Sequence, residues 1–176
     1  LWLSPGLLAA NGLALYQNNC AACHGLDGQG GVGIPLALAA FQAQASDDYL
    51  ARTIRHGRPG RIMPTFSELT DDEIKTIIRH IRSWQPSIKP PVYNHDAVQG
   101  NAVTGKKLFA QHCSSCHGVG AVGGRGTGVM FSRPHDLPIV PPALNNSGSL
   151  ASATDAMIHT VIEQGRSNTP MPAAKL

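Results

Sequence analysis

At 176 residues with 42% hydrophobic and only 14% charged residues, the chain is globular and not disordered, and its 19 glycines and 13 prolines announce long loops. The formal charge of +3 comes from scattered lysines and arginines with no run that would track a phosphate backbone, which argues against nucleic acid as a partner. The length suits one ordinary domain or two small ones.

The opening stretch, Leu1 to Ala10, is apolar but too short to span a bilayer. It reads as the remnant of an export signal or anchor, as a segment docking on a partner, or as an ordinary arm packed on its own domain. From Gly12 a helix is expected to run to Cys20, with Gly12, Tyr16 and Cys20 recurring every four residues on one face. A glycine one turn before an aromatic lets another helix approach closely.

The helix delivers Cys20-Ala21-Ala22-Cys23-His24, and the same spacing returns as Cys113-Ser114-Ser115-Cys116-His117. All 4 cysteines are used by the two copies. Two thiols three positions apart with a histidine directly after fit covalent haem attachment: the thiols add across the two vinyl groups, and the imidazole binds the iron. A bare Cys-x-x-Cys is equally a redox dithiol, half a zinc site or a disulfide, so the histidines carry the weight. A single zinc ion would need the two pairs to converge across an offset of 93 residues, from Cys20 to Cys113. Covalent attachment of haem takes place outside the cytoplasmic membrane, so a periplasmic location and an export signal are expected.

After His24, Gly25 to Pro35 reads as a glycine-rich loop, and no strand before it or lysine after it supports a phosphate cradle. The carbonyl of Pro35 is the expected acceptor for the second ring nitrogen of His24, a bond that fixes the tautomer. Ser46-Asp47-Asp48 caps a short helix that buries Tyr49, Leu50, Thr53 and Ile54 and ends at His56-Gly57. Met63 then stands in a proline-bounded loop, placed to bind the opposite face of the iron. Thr70 and Glu73 form a capping box ahead of Ile74, Ile77, Ile78, Ile81 and Trp84, an amphipathic helix expected to clamp the Gly12/Tyr16 face, with His80 on its surface.

Residues 86–100, with Pro86, Pro90 and Pro91, read as a semi-stiff linker between a first domain at 10–85 and a second at 101–176. In the second, Gly105-x-x-x-Phe109-x-x-x-Cys113 copies Gly12-x-x-x-Tyr16-x-x-x-Cys20. Gly165-Arg166 through Met171-Pro172 matches Gly57-Arg58 through Met63-Pro64 at an offset of 108 residues, which moves Met63 and Met171 from core filler to axial ligands. The 15 extra residues lie within Val119 to Val140, as a docking loop, a cover over a haem edge, a propionate clamp or a plain solvated loop. Pro142 is the expected counterpart of Pro35. Arg58 and Arg166 are matched by the repeat and pair with propionates, with a partner or with solvent. No counterpart of the 71–84 helix follows Met171, so a continuation of the chain or another chain is expected to cover the Phe109 face.

The order of Gly-x-x-x-aromatic helix, Cys-x-x-Cys-His, proline loop, helix and Met-Pro loop resembles the class I c-type cytochromes twice over. It is similar to the tandem dihaem cytochromes of the c4 type and to the cytochrome domains of cbb3 oxidase subunits and membrane-bound dehydrogenases. That resemblance implies an all-α fold of two tandem domains, each wrapped around a covalently held haem c. Six ligands per iron then leave no open site, so electron transfer is the implied function, with a quinol-oxidising complex, a terminal oxidase or a dehydrogenase as partner. The rival reading is a dihaem oxidoreductase of the peroxidase or thiosulfate dehydrogenase type. It would need a different ligand at one iron, drawn from His56, His95, His112, His135 or His159.

Overall fold

The computed structural model describes residues 5–58, 62–123, 141–166 and 170–174, with side chains described from Gly12 onward. Among these the chain is helical and without strands. The first half holds α1 (Pro5–Asn19), α2 (Ala21–His24), α3 (Ala39–Gln42), α4 (Asp47–His56) and α5 (Asp71–Ser83). After a helix-free stretch at 86–100 come α6 (Ala102–His112), α7 (Ser114–His117), α8 (Ser147–Leu150) and α9 (Asp155–Gln164). Helix α1 starts earlier than its apolar spacing suggests. Part of the opening arm is therefore one helix with the segment that delivers Cys20, and Pro5 in its first turn loses no hydrogen bond by lacking an N–H.

Local chemistry sets the helix starts. Ser46 Oγ accepts from the N–H of Tyr49 to open α4, and Thr154 Oγ1 accepts from that of Met157 to open α9. At α5 both arms of the capping box are present, with the Thr70 N–H donating to Glu73 Oε2 at 2.8 Å and the Glu73 N–H to Thr70 Oγ1 at 3.2 Å. The core of the first half is the α5 stripe Ile74, Ile77, Ile78 and Ile81, closed by Tyr16 of α1 and by Leu50 and Ile54 of α4.

Helices α1 and α5 make the broadest helix–helix contact. A Cβ on Gly12 would lie 3.1 Å from the Thr76 carbonyl oxygen and 3.2 Å from His80 Cβ, so the two backbones pack at glycine distance. Tyr16 fills the space beside it, its ring edge-on to Trp84 at 5.0 Å and tilted against His80 at 5.4 Å. His80 is accordingly not the surface residue its place on the helix flank suggests: its ring is wedged between Tyr16 and Trp84, its Nε2 is shut away from solvent, and burial lowers its pKa. Gly105 at the matching place on α6 meets nothing within 4 Å, and α6 buries no residue. Gly12→Leu should therefore destabilise the first half by about 1–3 kcal/mol through overpacking, whereas Gly105→Leu in this chain should change stability by less than ~0.5 kcal/mol. Thermal unfolding of the two variants checks this, and equal losses would contradict the packing asymmetry.

Gln42 is a core residue that spacing does not flag. Fully buried, it donates from Nε2 to the carbonyls of Leu36 and Ile81, tying α3 to the last turn of α5. Arg82 reinforces the same corner through Asp47 and the carbonyls of Gln42 and Ala45.

The second half repeats several backbone bonds of the first. With an offset of 93 residues, the Gly30 N–H to His24 carbonyl bond returns as Gly123 to His117; with an offset of 108, the Phe66 N–H to Ile54 carbonyl bond returns as Ala174 to Ile162. The bond from the Ala37 N–H to the Gly28 carbonyl returns as Asn145 to Ala121, bridging both offsets. The extra residues thus fall between Gly123 and Pro142, and residues 124–140 lie outside the described part of the chain. Ala121 takes the left-handed backbone of Gly28, with φ of 61° against 68°. A Cβ on Gly28 would collide with the Trp84 ring, and Ala121 carries its methyl where the second half has no described counterpart of Trp84.

The halves meet along a polar seam. Gln44 donates to the Gly165 carbonyl at 2.7 Å, Arg52 to that of Ala151 at 2.7 Å, and Arg58 to Ser149 Oγ at 3.3 Å. The 86–100 stretch is pinned at both ends of this seam, with the Tyr93 hydroxyl donating to the Gln44 carbonyl and the Val98 N–H to Asp155.

Candidate haem sites

Each Cys-x-x-Cys-His segment sits at the join of a long helix and a single helical turn. The N–H of Cys20 bonds to the Tyr16 carbonyl at 2.8 Å and that of His24 to the Cys20 carbonyl at 2.9 Å, so the turn that carries both thiols and the imidazole continues from α1. The Tyr16 hydroxyl then donates to the Gly25 carbonyl at 2.8 Å and anchors the exit. Cys113 and His117 repeat the backbone bonds to the Phe109 and Cys113 carbonyls, both at 2.9 Å.

All four thiols are free, with Cys20, Cys23 and Cys113 half-buried and Cys116 exposed. Burial, with Cys23 alongside, pushes the Cys20 thiol up to about 11. A redox dithiol depends on a depressed thiol pKa, so this electrostatic setting opposes that reading and suits a thiol consumed in a thioether. Among the described residues no three His, Cys, Asp or Glu side chains gather to hold a metal ion, so the two pairs are not assembled into one zinc site.

Both histidines are tethered through Nδ1. The carbonyl at His24 is that of Ile34, at 2.8 Å, and not that of Pro35. Pro35 forces its predecessor into an extended backbone, which swings the Ile34 carbonyl toward the imidazole. The Pro35 carbonyl instead faces the Leu38 N–H at 3.4 Å, opening the turn into α3. At His117 the acceptor is the Pro142 carbonyl, at 3.0 Å. Ile34 and Pro142 are therefore the equivalent positions, at the same 108-residue offset as Met63 and Met171. With Nδ1–H donating to a carbonyl, Nε2 keeps its lone pair for a metal. Burial chiefly, and the Arg58 cation to a smaller extent, lower the pKa of His24 against the opposing pull of the Ile34 bond, and keep the ring neutral as a ligand must be.

Met63 and Met171 are both half-buried and stand in matched loops. Gly57 (φ 61°, ψ −158°) and Gly165 (φ 66°, ψ −161°) start these loops in the same left-handed conformation. The Arg58 N–H bonds to the Met63 carbonyl at 3.0 Å and the Arg166 N–H to that of Met171 at 3.1 Å. Met63 packs, with Cys20, Ile34, Phe41 and Phe66, against the buried core, so a thioether and a thiol share one apolar setting. Such a donor set suits a large apolar macrocycle with an iron at its centre and not a hydrated ion. Among the other histidines, His95 lies 3.5 Å from Asp48 and His159 3.3 Å from Glu163, both exposed, while His135 lies outside the described residues.

The model of cytochrome c oxidase, cbb3-type, subunit III matches residues 8–81 and 100–176. The chain belongs to that family. As a member of the cbb3-type subunit III family it is a helical c-type cytochrome chain of two tandem domains with two haem c groups. Curated relatives include the cbb3-type cytochrome c oxidase subunit CcoP of Azospirillum sp. (strain B510), 29% identical over 96% of this chain and 56% of the relative. Subunit FixP of Bradyrhizobium diazoefficiens is 31% identical over the same shares, 96% and 56%. The chain thus spans about half the length of these relatives. Among solved structures, one from the Kuenenia stuttgartiensis reducing HAO-like protein complex matches 93% of this chain and 86% of its own with a TM-score of 0.62 at 20% identity, a likeness of fold. No helix among the described residues is long and apolar enough to cross a membrane.

Proposed function

We propose that this chain is the electron-carrying dihaem portion of a terminal oxidase of the cbb3 type, working on the periplasmic face of the membrane and not itself catalytic. Its domains would be 10–85 and 101–176, joined by 86–100. Cys20 and Cys23 would hold one haem and Cys113 and Cys116 the other; His24 and Met63 would be the protein ligands of the first iron, His117 and Met171 of the second. The haem supplies a one-electron couple. The protein's part is to keep that couple buried and rigid, with Ile34 and Pro142 orienting the imidazoles and the Gly-Arg turns fixing the thioethers, so that little reorganises when charge moves.

The observation that carries this reading is the double match of histidine tether and methionine turn, at 2.8 and 3.0 Å for the tethers and 3.0 and 3.1 Å for the turns. An oxidoreductase would need one iron with a labile position, and the matched ligand frames favour the carrier over that reading. In the full assembly, electrons would arrive from a quinol-oxidising complex or a dehydrogenase and leave to the oxidase. Spectra of the reduced protein with and without carbon monoxide test the closed coordination directly.

A further inference from the structure

The two histidine tethers are built from different residues, and the first of them is crowded against its ring. At the offset of 108 residues, Gly33-Ile34-Pro35 corresponds to Pro141-Pro142-Ala143. Backbone approach fixes that register: a Cβ on Gly30 would lie 3.2 Å from the Pro35 nitrogen, and one on Gly123 3.0 Å from the Ala143 nitrogen. Gly33 itself stands beside the imidazole of His24. A Cβ there would lie 2.7 Å from both Cε1 and Nδ1 and 3.1 Å from Cγ, well inside the ~3.5–4.0 Å at which carbon atoms rest in contact. The backbone at Gly33 has no room to retreat. Its N–H donates to the Cys23 carbonyl at 2.8 Å, its carbonyl accepts from the Gly31 N–H at 3.0 Å, and the next carbonyl, that of Ile34, is held by the ring. Pro35 keeps Ile34 extended. An added side chain would therefore displace the imidazole and not the loop, and would lengthen the Nδ1 bond that orients it.

The second half reaches the same tether by another route. Pro141 has no N–H, so it cannot repeat the bond to the carbonyl of the second cysteine, and it carries a pyrrolidine ring at the position where Gly33 carries nothing. Pro142 drives Pro141 into an extended backbone and fixes its own φ, so two prolines stiffen the tether of His117 in place of a glycine's hydrogen bonds. The rings end in different settings. His24 is half-buried with its tether at 2.8 Å, and His117 is buried with its tether at 3.0 Å.

Resting on the dihaem reading above, we propose that Gly33 is the positioning residue of His24, holding the imidazole by leaving the space beside it empty, and that Pro141 in its place holds His117 at a different angle. The two irons then carry the same ligand set in two geometries. They are told apart by spectroscopy, and each is tuned through its own tether: a tightly held Nδ1–H makes the imidazole a more basic donor, which favours ferric iron, and a loosened one favours ferrous.

The test is the electron-spin spectrum of the oxidised dihaem protein, read together with a spectroelectrochemical titration. The unaltered protein should show two low-spin signals with different g values. Gly33→Ala should shift one of them and raise the potential of that haem, because the lengthened tether makes His24 a weaker donor, and should leave the other haem unmoved. Pro141→Gly removes a side chain and crowds nothing, so it carries the test if Gly33→Ala does not fold. It should shift the second signal toward the first. Gly12→Leu strains the first half without touching the imidazole and should leave both signals in place; a shift there would mean that strain alone moves them and would count against a positioning role. Signals that coincide in the unaltered protein, or that ignore both Gly33→Ala and Pro141→Gly, would overturn the proposal and leave the electron carrier standing. Absence of low-spin His/Met signals from the unaltered protein would instead overturn the reading beneath it.

Discussion

Replacing Met63 with leucine should lower the reduction potential of one haem by on the order of 0.1 V or more, a modest part of the ~0.8 V over which axial ligands tune haem proteins, and leave the other haem where it was. Thioether sulfur opposite histidine favours ferrous iron, so its removal stabilises the ferric state. Leucine nearly conserves the volume, and Met63 packs only at the edge of the apolar cluster, so the fold should survive at a cost below ~1.5 kcal/mol. A spectroelectrochemical titration reads the effect. Met171→Leu should move the other haem, because the two loops share the same glycine dihedrals and the same arginine-to-methionine bond. An unchanged titration would remove the substituted residue from the ligand set, and two variants that move the same haem would break the pairing.

The second large effect is on cofactor content. Cys20→Ser combined with Cys23→Ser should cut covalently bound haem from two per chain to one, read by haem staining of the denatured protein and by its pyridine haemochrome spectrum. The same change should melt the first half, because the core of Tyr16, Leu50, Ile54 and the α5 isoleucines is small and a domain of this size buries little apolar surface without its cofactor. Full retention of haem would mean that these thiols do not hold it. Survival of the second site alone is the expected result, since its turn is built on α6 and its tether on Pro142.

The parts of this architecture that were legible in the sequence are those written in short, local chemistry. Thr70 and Glu73 announce the start of α5, the isoleucine spacing announces its buried face, and Gly12 with Tyr16 announces where it packs. What escaped depends on choices that spacing does not encode. A histidine followed by a proline loop predicts a tether, yet nothing in the letters says which of two neighbouring carbonyls will face the ring; the proline directs its predecessor's, so the acceptor is Ile34 and not Pro35. His80 looks like an outward residue on a helical wheel and becomes half-buried, with its Nε2 shut away from solvent, because Gly12 admits α1 so closely. Gln42 sits on a four-residue helix too short to show a period, and its role appears only when the Leu36 and Ile81 carbonyls converge on it. The seam was the least legible of all, being made of Gln44, Arg52, Arg58 and Ser149, polar residues whose partners lie about a hundred positions away.

The repeat also locates the inserted residues more narrowly than sequence comparison of the halves does. The backbone bonds follow the shorter offset as far as Gly123 and the longer one from Pro142, so the insertion enters immediately before the carbonyl that tethers His117. In the first half the corresponding N–H, that of Gly33, bonds to the Cys23 carbonyl at 2.8 Å; Pro141 has no N–H to offer and the second half does without that bond. The methionine loop beyond it is unaffected, with Arg166 holding Met171 as Arg58 holds Met63.

The central claim is that both irons are closed by a protein ligand on each face, and exposure of the reduced dihaem protein to carbon monoxide tests it most directly. The account predicts two low-spin haems whose optical spectra do not change on the timescale of mixing, and an electron-spin spectrum of the oxidised protein with low-spin signals alone. Rapid carbon monoxide binding at either haem, or a high-spin ferric signal accounting for one iron per chain, would contradict it.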